Sequence, residues 1–453
     1  MKSKNTIDML NGRLLWPTVK FALPLIATGF LQQSFNSADA LVVGRYCPSS
    51  ALAAVGSNGP IINLIITLFM GLGVGVNVVI ASYIGRRDQD GIRRAVATTG
   101  LIALASGLIL AIVGGFASRQ LLEVLDTPED VLDSAAEYLE IFFLGMPFMM
   151  AYNFGAAVLR SVGDTARPFY ILIAGCVTNI LFDLYFTGTL GMGVAGVALA
   201  TVIGVGVNAT LITVILMREK SDIRLVPRQM RFYKRELGNI VKIGLPAGIQ
   251  GLVFSLSNVF ILSAINSFGS AASAGSAAAL NYEIYCYYIV VGFVQATVAF
   301  TSQNYAAGNV ARCKKIYTLN MVLSVMLCCL LNVCVVLNKE FFISLFTNDA
   351  SVLPFAYDRL TMVLLMQFVA VSYEISGGAM RAMGYSMTPT ILTIFGTCVF
   401  RLLWVFFLPS FQGGFKALMA IYPITWVLTG ISVVVAYFYI RRKAFSHLIS
   451  HNP

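Results

Sequence analysis

The second half of this 453-residue chain repeats its first half at a nearly constant offset along the sequence. The clearest repeated pairs are Lys20/Lys242, Pro24/Pro246, Arg160/Arg381, Gly163/Gly384 and Pro168/Pro389. Another pair keeps its polar character without its identity, since Asp88 is answered by Asn309 at the same offset. Such a chain is expected to fold as two similar parts, so any architecture predicted for one half applies to the other.

The composition predicts a membrane protein. The chain is 58% hydrophobic and only 11% charged, whereas a soluble domain carries about 25% charged residues. Apolar runs of about 20 residues, the length that crosses a bilayer, follow one another along the chain. Twelve spans are predicted, at 17–42, 53–81, 95–117, 135–158, 168–188, 194–217, 239–264, 275–303, 317–337, 356–379, 388–408 and 417–440. The expected fold is an all-α polytopic membrane protein.

The longest polar run between spans, 218–236, leaves six spans on either side of it. We therefore expect an N-terminal six-helix lobe at 1–217, a basic cytoplasmic linker at 218–236 and a C-terminal six-helix lobe at 237–453. Because each half has an even number of spans, both halves enter the membrane in the same orientation. The lobes should be related by a pseudo-twofold axis along the membrane normal, as in parallel-repeat transporters.

The net charge of +10 follows the membrane topology. On alternate loops, 25 Lys and Arg fall on the side of the N-terminus, and five fall on the other side. The five are Arg45, Arg119, Lys339, Arg359 and Lys416. Basic loops stay in the cytoplasm, so both termini are predicted there, in a multi-pass protein of the bacterial cytoplasmic membrane without a cleavable signal. Membrane lipids are expected partners and nucleic acid is not.

Four of the acidic residues inside predicted spans, where a charge costs about 3 kcal/mol or more, are candidates for a functional site. They are Asp39, Asp183, Glu283 and Glu374. Asp183 lies one helical turn after Asn179, and Asp39 lies three residues after Asn36, so each aspartate shares a helix face with an amide. Intramembrane carboxylates are the first candidates for ion coupling.

Together with the hydroxyl of Thr201, these side chains offer the oxygen ligands that a small hard cation such as Na⁺ needs. Two carboxylates in one dry cavity would equally hold a proton, since burial and mutual repulsion disfavour the doubly charged state. The other interpretation is that these groups only join helices by hydrogen bonds. In the second half the corresponding residues are Ile261, Phe400, Trp404 and Tyr422. The sequence therefore predicts a coupling cation in the first lobe alone.

Several motifs together resemble the multidrug and toxic compound extrusion (MATE) family, with the NorM, DinF and MepA-like bacterial branches nearest. The matching stretches are Asp39-Ala-Leu-Val-Val-Gly44, Ile84-Gly85 with Asp88, Leu159-Arg160 through Gly163-Asp164 to Pro168, Asn179 with Asp183, and Gly193-Val-Ala-Gly196. The resemblance implies a twelve-helix carrier that expels cationic or amphipathic organic compounds, antibiotics among them, in exchange for H⁺ or Na⁺. It also places Asp39, Asn179, Asp183 and Thr201 in the cation site of the first lobe.

In the second lobe, Glu283, Glu374, Arg401 and Tyr282 are candidates for the substrate cavity. A buried glutamate would suit a cationic drug, and Arg401, inside the span 388–408, could neutralise one glutamate. Arg401 could equally make a structural pair. Tyr282 lies in a group of tyrosines around Glu283 and could form a rim that attracts cations.

Other functions fit the sequence less well. The chain has no G-x-x-x-x-G-K-[ST] loop for ATP. Its only histidines, His447 and His451, lie in the tail, which makes an integral membrane enzyme a remote alternative. The closer alternative is a flippase for lipid-linked precursors, which would need several basic residues in its cavity. No metal site or cofactor is expected beyond the coupling ion, and the protein is expected to work as a monomer.

Overall fold

The computed structural model describes residues 6–47, 49–124, 127, 129–407 and 414–451, and over these residues the chain is helical without a strand. The α-helices are α1 (Leu15–Tyr46), α2 (Ser49–Arg86), α3 (Gln89–Val124), α4 (Glu129–Leu144), α5 (Met146–Ser161), α6 (Ala166–Asp183), α7 (Gly193–Arg218), α8 (Lys234–Asn266), α9 (Ser270–Ala306), α10 (Val310–Leu337), α11 (Lys339–Ser344), α12 (Leu353–Arg359), α13 (Ala370–Ala382), α14 (Met387–Thr393), α15 (Phe400–Phe407), α16 (Phe415–Met419) and α17 (Ile421–His451). Three π-helical turns interrupt the spans, at Leu184–Thr189, Leu360–Leu364 and Ile394–Val399. Short 3₁₀ turns lie at Pro227–Gln229 and Gln367–Val369.

The predicted twelve-helix architecture is confirmed. Ten helical segments of the described residues are long and apolar enough to cross a membrane, and α4 with α5 makes an eleventh, bent by 48°. The 32-residue helix α1 is the twelfth. Each predicted span lies inside one of these helices, apart from Leu408, which is outside the described residues. The bend between α4 and α5 comes just before Pro147, which has no N–H to continue the helix.

By their packing the helices form two compact units. Unit 1 consists of Met1–Asp8 and Ala27–Leu245, and unit 2 of Met9–Ile26 and Pro246–Pro453. The chain passes from one unit to the other inside α1 and again inside α8, close to the helical prolines Pro24 and Pro246. The linker 218–236 packs on unit 1. The division at 218–236 is thus a prediction based on the sequence repeat. By packing, the boundaries between the compact units instead lie within the first helix of each half.

Ion pairs fasten the linker to unit 1. Arg93 bonds to Asp222 at 2.9 Å, and Arg94 bonds at 2.8 Å to Glu236, whose side chain is 2% exposed. Surface pairs contribute little to stability, but the buried Glu236 carboxylate needs its partner because an unpaired buried charge is costly. The start of α8 is therefore held by the N-terminal end of α3.

The glycines and caps retained in the repeat serve backbone turns. Gly163 and Gly384 both have left-handed backbones, with φ of +89° and +91°, a conformation that costs other residues about 1–2 kcal/mol. Asp88 and Asn309 each accept a hydrogen bond from the backbone N–H three residues later, at 2.8 and 3.1 Å. Both side chains cap the N-terminus of the helix that follows. The repeat therefore preserves how the helices are connected.

Candidate functional site

The site in unit 1 depends on a close crossing of α6 and α7. Gly204 of α7 lies so near α6 that a Cβ there would be 2.8 Å from the carbonyl oxygen of Gly175 and 2.9 Å from Cβ of Asn179. Small residues at such crossings let two helix backbones approach closely. The crossing brings Asn179 beside Thr201, which lies one turn before Gly204 on α7.

Four of the five residues predicted for the cation site meet at this crossing. With its amide oriented to satisfy both partners, Asn179 donates to Asp39 Oδ1 at 3.2 Å and accepts from the backbone N–H of Thr201 at 3.2 Å. The carboxyl groups of Asp39 and Asp183 lie within hydrogen-bonding reach of each other. Helices α1, α6 and α7 thus each contribute to one polar cluster. Asn36 lies in α1, but its side chain is outside the described part of the structure.

Asp183 is the most enclosed member of this cluster. It is 0% exposed, and within the described residues neither of its carboxylate oxygens accepts a hydrogen bond from an N–H or hydroxyl group. Two ionised carboxylates cannot share a buried site unless a proton or a cation lies between them. The arrangement is therefore suited to taking up one positive charge.

Tyr138 of α4 is a member of this cluster that the sequence did not reveal. Its side chain is 6% exposed, its hydroxyl is in hydrogen-bond contact with Thr201, and both aspartates lie close to it. Its ring stacks on Phe142 at 6.1 Å. The chain has 19 tyrosines in all, and nothing in the sequence separates Tyr138 from the rest.

In unit 2, Glu283 is paired with Arg359. Arg359 donates from Nε to Oε1 of Glu283 at 2.6 Å and from Nη2 to Oε2 at 2.9 Å, and a third hydrogen bond reaches Ser276 at 2.6 Å. If Arg401 neutralises one of the two glutamates, as predicted, that glutamate is not Glu283, whose partner is Arg359. The placement of Arg359 on a loop was wrong, because α12 begins at Leu353 and carries Arg359 inward, where it is 3% exposed.

Glu374 has different neighbours. The hydroxyl of Tyr287 donates to it at 3.0 Å, and the guanidinium of Arg381 is close enough to interact electrostatically. Arg381 itself donates to Gln250 at 2.8 Å. Glu374 therefore belongs to a buried polar group joining α8, α9 and α13.

Tyr282 joins helices to one another. Its hydroxyl donates to the backbone oxygen of Phe342 at 2.6 Å, and its ring meets those of Phe342 and Phe346 edge-on at 5.3 and 5.6 Å. These contacts fasten α9 to α11 and the turn that follows it. The role of Tyr282 as a pocket rim stays a prediction.

Arg401 is buried, with 1% of its surface exposed. It donates to Thr425 and to Asn258, each at 3.3 Å. Its guanidinium lies over two rings, with 4.5 Å to the centre of Tyr422 and 5.2 Å to that of Phe254. It is therefore enclosed by α8, α15 and α17.

Comparison with known proteins identifies the family. The model of the family described as MatE matches residues 24–185 and again residues 246–407, so each half carries one copy. The chain belongs to the MatE family. The two matched regions begin at equivalent positions of the sequence repeat, Pro24 and Pro246, and together cover well over half of the chain.

Relatives of this MatE protein match along most of their length. It is 29% identical to the probable multidrug resistance protein YoeA of Bacillus subtilis, over 83% of this chain and 82% of that protein. It is 27% identical to the probable multidrug resistance protein NorM of Thermotoga maritima, over 85% and 83%. A solved multidrug resistance MATE family transporter in an outward-facing conformation superposes with a TM-score of 0.90, at 24% identity, over 99% of this chain and 100% of that one.

Family membership and the apolar helices together show that this MatE protein is a multi-pass membrane transporter and not an enzyme. The likeness to the solved transporter establishes the same helical fold. Transporters of this family need no cofactor.

Proposed function

We propose that this MatE protein exports cationic or amphipathic organic compounds in exchange for protons, and that each proton binds between Asp39 and Asp183. The observation that carries the proposal is the contact between these two carboxyl groups in a closed part of unit 1. The two relatives named above as probable multidrug resistance proteins support an organic cargo.

The contact between the carboxyl groups favours a proton over sodium. A shared proton joins two carboxyl oxygens in one hydrogen bond, whereas a sodium ion bound between the two groups would keep those oxygens farther apart. The buried position of Asp183 adds to this preference, because a metal ion keeps a full positive charge that needs more ligands than a proton does. Asn179, Thr201 and Tyr138 then orient the pair and fill its remaining hydrogen-bonding positions.

The transport cycle follows from the charge on this pair. Without a proton, Asp39 and Asp183 repel each other, and water must enter between α1 and α6 to solvate them. A proton arriving from outside removes the repulsion, the two carboxyl groups meet, and α1 closes on α6 and α7. This movement changes the shape of the substrate cavity, so that the cargo is released to the outside. Loss of the proton to the cytoplasm resets the site, so the cargo and the proton move in opposite directions.

The distribution of charge supports the orientation. The 25 to 5 bias of basic residues supports a cytoplasmic position for both termini and for the linker 218–236. In a bacterial cytoplasmic membrane, the proton gradient would then drive protons inward through unit 1. Lipid head groups would contact the basic loops, and one chain would suffice because one chain contains the complete pair.

Transport by the purified protein in liposomes tests the proposal. Ethidium movement is measured with a pH gradient alone, with a sodium gradient alone and with neither, for the wild type and for Asp39→Asn and Asp183→Asn. The exposed Asp349→Asn, far along the chain from the site, is the control. Transport by the wild type under the pH gradient alone, lost in both site variants and kept in the control, is the expected result. Transport driven only by a sodium gradient would show that Na⁺, and not the proton, is the coupling ion. Transport by Asp183→Asn equal to that of the wild type would refute the site.

A further inference from the structure

The second half does not simply lack the cation site; it carries other residues at the same places of the repeat. In the register of the repeat the correspondences are Asn36 with Asn258, Tyr138 with Arg359, Ile180 with Arg401 and Thr201 with Tyr422. Arg359 thus occupies the position of Tyr138, which lies close to both aspartates in unit 1, and Arg401 occupies the position next to that of Asn179. The repeat predicts a second site of opposite charge.

The four residues of unit 2 that correspond in this way form a cluster in the structure. Arg359 lies over the ring of Tyr422 at 5.4 Å and is in hydrogen-bond contact with it. Arg401 lies over the same ring at 4.5 Å and donates to Asn258 at 3.3 Å. Tyr422 therefore has a guanidinium group against it from each of two helices, α12 and α15.

The charges of this cluster do not balance. Glu283 receives two hydrogen bonds from Arg359, which neutralises that arginine. Arg401 has no acidic side chain at ion-pair distance within the described residues, and its Nη2 has no hydrogen-bond partner there. Since Arg401 is only 1% exposed, its charge is also shielded from bulk water. A guanidinium held in this way is ready for an anion, because an unpaired buried charge is costly.

We propose that unit 2 binds the acidic group, a carboxylate or a phosphate, of an amphipathic or zwitterionic cargo at Arg401, next to Tyr422 and Asn258. The inference rests on the proposed function, since it assigns a substrate class to the same export. Nη2 of Arg401 supplies the charge-assisted hydrogen bond, and guanidinium groups bind the oxygens of both carboxylates and phosphates. The rings of Phe254 and Tyr422 cover the faces of the guanidinium and leave its edge for the ligand.

A ligand can reach this closed site only if helices move. A π-helical turn, where such a movement can occur, lies next to each arginine. The π-helical turn Ile394–Val399 ends two residues before Arg401, and the π-helical turn Leu360–Leu364 begins directly after Arg359. Such turns contain one residue more than an α-helical turn and occur frequently at functional sites. Conversion of either turn to regular α-helix would rotate its arginine and open the cluster.

Matched ligands test the proposal with purified full-length protein in detergent. Norfloxacin, which carries a carboxylate, is compared with its ethyl ester, which does not, by titration of wild type, Arg401→Gln, Arg401→Lys and the exposed control Arg119→Gln. The wild type should bind norfloxacin about tenfold more tightly than the ester, the ratio that one charge-assisted hydrogen bond gives. Arg401→Gln should lose this preference, Arg401→Lys should keep part of it, and the control should keep all of it.

Inorganic phosphate, citrate and phosphatidylglycerol in nanodiscs complete the test. Thermal stabilisation by phosphate or citrate that disappears in Arg401→Gln and partly returns in Arg401→Lys supports the site. Equal affinity of the wild type for norfloxacin and its ester, or no stabilisation by either oxyanion, overturns it. Displacement of norfloxacin by phosphatidylglycerol would show that the site binds a lipid head group, and would overturn the assignment to cargo. Ethidium export by the wild type tests the proposed function separately, because ethidium has no acidic group.

Discussion

Arg359 binds Glu283 through two hydrogen bonds of 2.6 and 2.9 Å inside unit 2, where neither side chain is more than 8% exposed. The pair joins α12 to α9, and Gln367 adds a hydrogen bond of 2.9 Å to the backbone oxygen of Glu283. A carboxylate held by both of its oxygens is not available to a cationic cargo. Glu283 is therefore part of the scaffold of the arginine cluster, and its substitution should affect stability first.

Glu283→Gln should lower the free energy of unfolding by about 3–5 kcal/mol, because it leaves Arg359 buried without a counter-charge. The double variant with Arg359→Gln should recover most of that loss, since it removes both charges. Chemical unfolding in detergent micelles measures the free energy of unfolding of the wild type, of Glu283→Gln and of the double variant. The exposed pair between Lys416 and Asp358, at 3.4 Å, is the control, and Asp358→Asn should change stability by less than about 1 kcal/mol. A double variant no more stable than Glu283→Gln would show that the arginine is not the source of the loss.

Tyr138→Phe should weaken proton coupling about fivefold, the factor that matches about 1 kcal/mol for one lost hydrogen bond to Thr201. The ring remains and keeps its stacking on Phe142, so packing changes little. The measurement is the proton concentration that half-saturates ethidium transport in liposomes. Tyr152→Phe is the control, because it also removes a buried tyrosine hydroxyl, one that donates to Pro168 at 3.0 Å. Equal shifts in the two variants would mean that Tyr138 acts only through stability.

Hydropathy and intramembrane charge were enough to predict the spans and the two aspartates of the polar cluster in unit 1, and helical spacing with the MATE resemblance added Asn179 and Thr201. A membrane helix must be apolar for about 20 residues, and an aspartate such as Asp183 is conspicuous in such a run. Tyr138 could not be found in this way, because aromatic residues are 12% of the chain and most of them pack against helices or lipid. Arg359 was misplaced because hydropathy fixes the middle of a span better than its end.

The boundaries of the two compact units could not be predicted from the sequence either. Sequence similarity divides the chain where the repeat restarts, but packing depends on where each part of a helix lies. The residues just before α1 belong to unit 2 by their contacts: Arg312 donates to the backbone oxygens of Met9 and Gly12 at 3.1 and 2.8 Å. Asn304 donates to Met9 as well, at 3.0 Å. These hydrogen bonds are made to backbone atoms, so the side chains of residues 9–12 do not predict them.

Gly163→Ala and Gly384→Ala should both destabilise the protein, since both glycines have φ near +90°. The backbone strain alone is about 1–2 kcal/mol. Gly384→Ala should show only this cost, because a Cβ there meets nothing within 4 Å. At Gly163 a Cβ would lie 2.9 Å from backbone atoms of Ile7, so the loss should be larger.

Unfolding midpoints of the two alanine variants measure the difference. Gly115→Ala, in α3 with open space around its Cβ position and a helical backbone, is the control. It should be neutral or stabilising by up to about 1 kcal/mol, since alanine favours a helix over glycine. Equal losses at positions 163 and 384 would show that the segment containing Ile7 moves aside without cost.

Gly204→Ala should damage both stability and coupling, because Gly204 sets the distance between α6 and α7. An added Cβ would lie 2.8 Å from the carbonyl oxygen of Gly175 and 2.9 Å from Cβ of Asn179, and overpacking of this kind costs about 1–3 kcal/mol. The helices must separate by a few tenths of an ångström, which lengthens the hydrogen bond of 3.2 Å between Asn179 and the backbone of Thr201. The proton concentration that half-saturates transport should therefore rise together with the loss of stability.

Gly206→Ala is the matched control on the same helix, since its Cβ would meet only Phe148, at 4.0 Å. This variant should keep wild-type coupling and be as stable as the wild type or slightly more so, because alanine has the higher helix propensity. Unfolding and ethidium transport are measured on both variants in parallel. If Gly204→Ala lowered stability but left proton coupling at the level of Gly206→Ala, then the spacing of α6 and α7 would serve folding alone. The site would then owe its function to Asp39 and Asp183 without the support of Asn179.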